Sequence, residues 1–401
     1  MSPSTPPTTP PSPPAPPARG GTRTEGRAGL PDRVDGVDAA RGIALIGMFV
    51  AHLAPADVPV DAAALIALAD ERPRLLFALT AGIGLGLLTG ATRPVVERAA
   101  RWALRRQIAI RALLLIALGL IVVAVFAPLV FVILDVYGVA FLLMLPLLFL
   151  PGRIAVALGA VLLTMTPAIA TIAERDPETV ALADQPLGLL VEWFLVGAYP
   201  VIIWVPVMLL GLGLARLDVA APRVVAATAL AGTLVASVAL PLSHALPDPR
   251  NPALDPSTAA WAAPVRASLE TLGNTAVGLV IVAAAVTLTT LAQPRVRRVA
   301  GALLSPIVAM GAMPLTVYTA HLVIISFGKY RRPDGLISDD SWPLLIGLTI
   351  GSMVFAWLWR RYVGRGPLEQ VLRWASGRGG RRRGTPAGTP TDAAPRIDGT
   401  T

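Results

Sequence analysis

The stretch VDGVDAARGIALIGMFVAHLAP, residues 34–55, decides how the chain is to be read. Its apolar run from Gly42 to Ala54 is short for a membrane span, and alone it suits the core of a signal peptide. No convincing small-x-small cleavage site follows it, and it sits behind 41 residues rather than near the start. Removing it also puts the arginine-bearing N-terminal tail on the opposite side of the membrane from the other arginine-rich joints. It is therefore read as the first membrane helix, with polar groups held at its ends.

The rest of the chain supports that reading. Of 401 residues, 54% are hydrophobic and 15% charged, against about 25% charged in soluble domains. Ten apolar stretches of spanning length lie near residues 39–59, 74–91, 108–127, 130–150, 154–173, 189–214, 222–243, 267–292, 304–327 and 343–360. Strand-type alternation is missing, which argues against a β-barrel. The expected fold is all-α: a polytopic membrane bundle of about ten helices with both termini cytoplasmic. A domain at 38–375 is expected between Pro-rich and Arg-rich tails, 1–37 and 376–401, that carry too little apolar side chain to fold.

Charge fixes the expected orientation. With ten spans, 26 of the 34 basic residues fall on the side of the two tails and 15 of the 25 acidic residues on the other. That is the positive-inside pattern, and it accounts for the net charge of +9 without a nucleic-acid partner. Cysteine is absent, which excludes disulfides, thiolate metal sites and thiol nucleophiles. Three widely spaced histidines form no metal-ligand pattern. Lys329 is the only lysine, and with the Ala and Pro load this reads as GC-rich coding, a bacterial source and hence a bacterial plasma membrane.

In the first helix, Asp38, Arg41, Leu45, Met48 and His52 share one stripe. Arg41 and His52 are eleven residues apart, about three turns and about 16 Å along the helix. Ionisable groups at membrane depth are expensive and point to function. The bland alternative is an arginine that snorkels to headgroups and a histidine that is hydrogen-bonded in the bundle.

An Arg, ten residues and a His on the first membrane helix resembles the integral-membrane acyltransferases that acetylate sugars of bacterial surface polysaccharides. VDAARGIALIGMFVAH (37–52) also resembles the bacterial relatives of heparan-alpha-glucosaminide N-acetyltransferase, as do RPRLLFALTAGIGLGL (72–87), LDVYGVAFLL (134–143) and VGAYPVIIWVPVMLLGLGLAR (196–216). MPLTVYTAHLVI (313–324) and GRGPLEQVLRW (364–374) resemble an uncharacterised multi-span family that often continues it. The resemblance covers about residues 33–375. In the lysosomal enzyme of that family the active histidine lies in the luminal loop after the first span, with Asn at the place of His52. The corresponding loop here, residues 54–73, contains no histidine. His52 rests on the surface-polysaccharide acyltransferase pattern instead.

The resemblance implies transfer of an acyl group, with acetyl expected, from cytosolic acyl-CoA as co-substrate to an extracytoplasmic sugar or glycan-like acceptor. His52 is the expected general base. Arg41 and the cluster Arg98, Arg101, Arg105 and Arg106 are candidates for the CoA phosphates, the cluster having a pure topology reading beside it. Asp135 is expected to orient the His52 imidazole, and His321 is a further catalytic candidate. Arg72, Arg74, Glu192, Asn274 and Tyr318, all near the outer ends of their spans, are acceptor-side candidates. A transporter or flippase remains the rival, since a ring of polar groups across ten spans also suits a substrate path. The oligomeric state is open.

Overall fold

The computed structural model describes residues 33–378 except 56–57, 70, 187 and 333–334. Apart from residues 33–37 and 376–378, the two expected disordered tails lie outside the described residues. The chain forms α1 (Asp35–Leu53), α2 (Val60–Ala67), α3 (Arg72–Leu88), α4 (Arg98–Phe126), α5 (Leu134–Met144), α6 (Gly152–Arg175), α7 (Pro177–Ala183) and α8 (Gly188–Val191). A π-helical turn, Glu192–Val196, then leads to α9 (Val201–Arg216), α10 (Pro222–Ala245), α11 (Pro256–Val286), α12 (Pro294–Ala312), α13 (Pro314–Phe327), α14 (Trp342–Tyr362) and α15 (Pro367–Arg373). A two-stranded ribbon, β1 (Tyr330–Arg331) paired antiparallel with β2 (Ile337–Ser338), links α13 to α14.

The protein is a polytopic helical bundle. Each of the ten expected apolar stretches falls on a helix. Among the described residues, six helices are long and apolar enough to cross a bilayer, rising to eight when the bent pairs α8–α9 and α12–α13 each count as one span. α3 has 17 residues and α5 only 11, about 25 and 16 Å of rise. α5 stops short of the expected 130–150, running from Leu134 to Met144, with Pro146, which has no N–H to continue the ladder, two residues beyond its end. The exposed side chains of α4, α6, α10 and α14 are largely apolar, among them Ile121, Val161, Leu234 and Ile350. Such an outer surface suits a lipid solvent.

α1 runs through the middle, with Ala40, Ala44, Leu45, Phe49 and Leu53 fully buried, and packs against α3, α11, α12 and α14. Tight crossings depend on missing side chains. A Cβ on Gly82 of α3 would land on the carbonyl of Met208 in α9, and one on Gly211 of α9 on the carbonyl of Leu79. The bend of 79° between α12 and α13 falls at Met313, whose backbone is non-helical (φ −133°, ψ 55°), directly before Pro314. Proline at the first position of a helix lacks only an N–H that would be orphaned anyway.

At the arginine-rich end, Arg216 closes α9 as a buried cation that holds four acceptors. It donates from Nη1 to Gly86 O (3.2 Å) and Ala91 O (2.6 Å), and from Nη2 to Thr89 Oγ1 (2.6 Å) and Leu148 O (2.7 Å). These bonds tie the exit of α3 to the α5–α6 joint. Replacing Arg216 with Met should strand these acceptors and destabilise the protein by about 3 kcal/mol. Arg216→Lys should recover only part of that loss, because an ammonium cannot fan out to four acceptors. Thermal unfolding in detergent checks both.

Candidate active site

The site is built on the break between α12 and α13. A helix end leaves carbonyls at its C-terminus and amides at its N-terminus without partners. Here the last carbonyls of α12 meet cations: Arg41 donates from Nη1 to Gly311 O (3.0 Å) and Arg33 from Nη2 to Ala312 O (3.1 Å). The first amides of α13 meet an anion: Leu315 N and Thr316 N donate to Glu369 Oε1 (2.7 and 3.1 Å), and Thr316 Oγ1 to Oε2 (2.5 Å). Asp38 bridges the two arginines, accepting from Arg41 Nη1 (2.9 Å) and Arg33 Nε (3.1 Å). Arg41 also donates from Nη2 to Thr80 O of α3 (2.9 Å).

A cavity of about 280 Å³ opens beside this network and touches α1, α3, α4, α5, α13 and α15. Its polar lining includes Arg33, Arg41, Arg111, Tyr137, Tyr318 and Glu369, set in an apolar wall that includes Phe77. The Tyr137 hydroxyl is buried there with no hydrogen-bond partner among the described residues. Phe77 stands between the two tyrosines, 5.2 Å from the Tyr137 ring and 6.4 Å from the Tyr318 ring.

His52 does not line this cavity. It lies beyond Tyr318, in the last turn of α1, and is paired with His321: His52 Nδ1 and His321 Nε2 are 3.1 Å apart. The fully buried His321 packs on the rings of Tyr318 and Phe49, each 4.9 Å away. Its Nδ1 lies 2.7 Å from the carbonyl of Tyr318. A carbonyl can only accept, so His321 Nδ1 carries the hydrogen and, in the neutral ring, Nε2 offers a lone pair. His52 Nδ1 must then be the donor, which leaves the His52 lone pair on Nε2.

The partner expected for His52 was Asp135. The structure puts His321 in that place. Asp135, at the start of α5, accepts instead from Trp193 Nε1 (2.9 Å), and its other oxygen is buried without a partner among the described residues. The expected CoA cluster is not gathered on the cavity either. Arg98 and Arg106 are exposed. Arg101 donates to Val95 O (2.6 Å) and Arg105 to Leu145 O (3.1 Å), both resting over the Phe149 ring. Farther along the same helix, Arg111 does reach the cavity. Its signal was available in the sequence as an arginine inside an apolar run. Arg33 and Glu369 carried no comparable signal, since their roles exist only once α12, α13 and α15 meet.

The acceptor-side candidates divide. Arg74 donates to Glu71 Oε1 (2.5 Å) and lies over the Tyr199 ring, while Asn274 Nδ2 reaches Glu71 Oε2 (3.4 Å). Arg74 and Glu71, with Glu174, Glu270, Tyr199 and Trp204, line a second cavity of about 160 Å³ toward the acidic end of the bundle. Tyr318 belongs to the first cavity, its hydroxyl accepting from Ile133 N (3.2 Å). Arg72 opens α3, half-buried, and Glu192 is exposed in the π-helical turn; neither lines either of these two cavities.

No curated protein matches the chain. Residues 214–378 match the family described as "Protein of unknown function (DUF418)". Residues 33–246 match "Heparan-alpha-glucosaminide N-acetyltransferase, catalytic". That match covers more than half of the chain and the α1, α3, α4 and α5 walls of the first cavity, while the α13 and α15 wall falls in the other match, and the chain belongs to this family of membrane acetyltransferase-type catalytic domains.

Proposed function

We propose that the protein transfers an acyl group, acetyl first among them, from acyl-CoA to a sugar or glycan-like acceptor on the opposite side of the membrane, with His52 as general base. The observation that carries this reading is the chain from the Tyr318 carbonyl through His321 to His52, which leaves a lone pair on His52 Nε2. The acceptor hydroxyl or amine gives its proton to that nitrogen as its oxygen or nitrogen attacks the thioester carbon. The C–S bond breaks, and CoA leaves as the thiol with the proton returned to sulfur. No second nucleophile is needed.

The first cavity suits the acyl-pantetheine arm. At about 280 Å³ it falls at the lower edge of small-molecule pockets, which run from about 300 to 1,000 Å³. The nucleotide phosphates then remain at the arginine-rich mouth, with Arg33 and Arg111 nearest and Arg98 and Arg106 exposed at the same end. Tyr137 supplies an unused donor for a carbonyl oxygen of the arm. From that cavity the way to His52 runs past the Tyr318 ring, so a movement of α13 about its bend with α12 belongs to the cycle. The glutamate-lined second cavity suits the acceptor, and the family's glucosaminide is the first probe to try.

A transporter of inverted-repeat type would place its broken helices at matching positions in two halves. The two bent spans are the sixth and ninth of the ten stretches, and their counterparts in the first five carry no such bend among the described residues. That favours transfer over transport.

Because the chain has no cysteine, release of CoA thiol from acetyl-CoA in the presence of a methyl α-glucosaminide reads the reaction without background from the protein. His52→Ala should lower turnover at least about 100-fold while the helical fold persists by circular dichroism; wild-type turnover in that variant would remove His52 from the mechanism. His321→Phe should lower kcat at similar KM, and His321→Gln, which restores an acceptor for His52 Nδ1, should recover part of it. Tyr137→Phe should raise the KM for acetyl-CoA about tenfold for the loss of one hydrogen bond. It should not lower the unfolding temperature, since the hydroxyl is unpartnered within the protein.

A further inference from the structure

On the far side of α12 from the first cavity, the arginine-rich end holds a second arginine group that acyl transfer does not use. A cavity of about 470 Å³ lies between the start of α1, the π-helical turn Thr287–Leu291 after α11, the body of α12 and the last turns of α14. Arg297, Arg360 and Arg361 line it with Asp35 and the hydroxyl-bearing Thr289 and Ser305. Among the described residues, only Arg360 of the three has a carboxylate partner, Asp35 at 3.5 Å. Arg297 reaches Thr290 O at 3.5 Å, and Arg361 lies over the Trp357 ring at 5.9 Å. Neither meets a carboxylate among the described residues. Three cations against one anion leave two positive charges facing an open space, and a Cβ on Gly301, in the wall, would meet nothing within 4 Å.

The surface leading to that space is apolar and runs along one helix face. Ile346, Ile350, Val354 and Trp357 of α14 are each at least 40% exposed, at spacings i, i+4, i+8 and i+11, and Arg361 follows at i+15 on the same face. From Ile350 to Arg361 is about 16 Å of helix rise. The hydrocarbon of one leaflet, half of about 30 Å, has nearly the same depth. A molecule with an anionic head and one leaflet's length of chain matches both features, and arginine's planar fork suits a phosphate.

We propose that this cavity binds the phosphate group of an anionic phospholipid, whose acyl chain lies along the Ile346–Trp357 face of α14. The lipid's phosphodiester sits between Arg297 and Arg361, with the Thr289 and Ser305 hydroxyls within the same wall. The assignment stands independently of acyl transfer, because it uses no residue of the first cavity or of the histidine pair.

Native mass spectrometry of the full chain, with phosphatidylglycerol titrated against phosphatidylcholine, tests it. One phosphatidylglycerol should be retained in preference to phosphatidylcholine. The double variant Arg297→Gln/Arg361→Gln should weaken that retention about tenfold or more. Gly301→Leu, which fills open space without removing charge, should weaken it as well. Arg153→Gln/Arg223→Gln removes the same charge from exposed positions elsewhere at the arginine-rich end and should leave retention unchanged. Equal loss in that control, or wild-type retention in the two cavity variants, overturns the site. Displacement of phosphatidylglycerol by millimolar inorganic phosphate overturns the lipid assignment and makes the ligand a soluble phosphate.

Discussion

The structure depends on how one broken helix satisfies its ends inside a membrane. Unpartnered backbone groups in hydrocarbon cost several kcal/mol each, so the chain cannot turn through 79° at Met313 unless both new termini find partners. Arg33 and Arg41 take the carbonyls of Ala312 and Gly311, and Glu369 takes the amides of Leu315 and Thr316. The signs are the ones the helix dipole favours, cations at the C-terminal end and an anion at the N-terminal end. With Asp38 between the arginines, two positive and two negative groups close the network. Arg41 is therefore architecture before it is a ligand group. Most of its donors are spent on Asp38, Gly311 and Thr80.

That network sets where the histidines meet. From the break, α13 carries Tyr318 and His321 on one face at i, i+3, while α1 carries His52 about 16 Å beyond Arg41. α1 is held to the end of α12 at the charged end and meets α13 at the His52–His321 contact. The second contact is polar and directional: the Tyr318 carbonyl fixes one tautomer, which fixes the next. A carboxylate at the His321 position would favour a protonated His52. A second neutral imidazole orders the ring without adding charge, as the general base proposed above would require.

What was legible in the sequence followed from periodicity and from the price of charge in lipid. The apolar stretches, the helical class and the Asp38–Arg41–His52 stripe were all readable because each is local to one segment. The partner of His52 was not. Spacing places residues on a face and gives no account of which helix covers that face, so Asp135 was expected beside His52 and His321 was seen there only once α13 lay against α1. The arginine cluster was ambiguous for a related reason. Positive-inside bias and phosphate binding select the same residues, and only packing separates Arg98 and Arg106, left exposed, from Arg111, which reaches the cavity. The shortness of α5 was readable at Pro146, although hydropathy alone runs straight through it. Glu369 lay beyond reach, since nothing before the fold says that an acidic residue after the last span caps a helix 53 residues earlier.

The transfer proposed above would require the two aqueous sides to be connected for the group while the path is denied to water and ions. Two cavities divided by a dense layer meet that requirement. The first, with its arginines, and the second, with its glutamates, are separated by Phe77, Tyr137, Trp204 and Tyr199, each ring within 6 Å of the next. Aromatic side chains lose little rotamer freedom when packed, and their edges interlock, so such a layer seals well. Tyr137 and Trp204 stand at the seam, one lining each cavity, at a ring separation of 5.1 Å. A continuous polar pore between the cavities would have suited a channel or carrier. A sealed seam beside a hinged helix that bears Tyr318 and His321 suits a site where a small group crosses and its carrier stays behind.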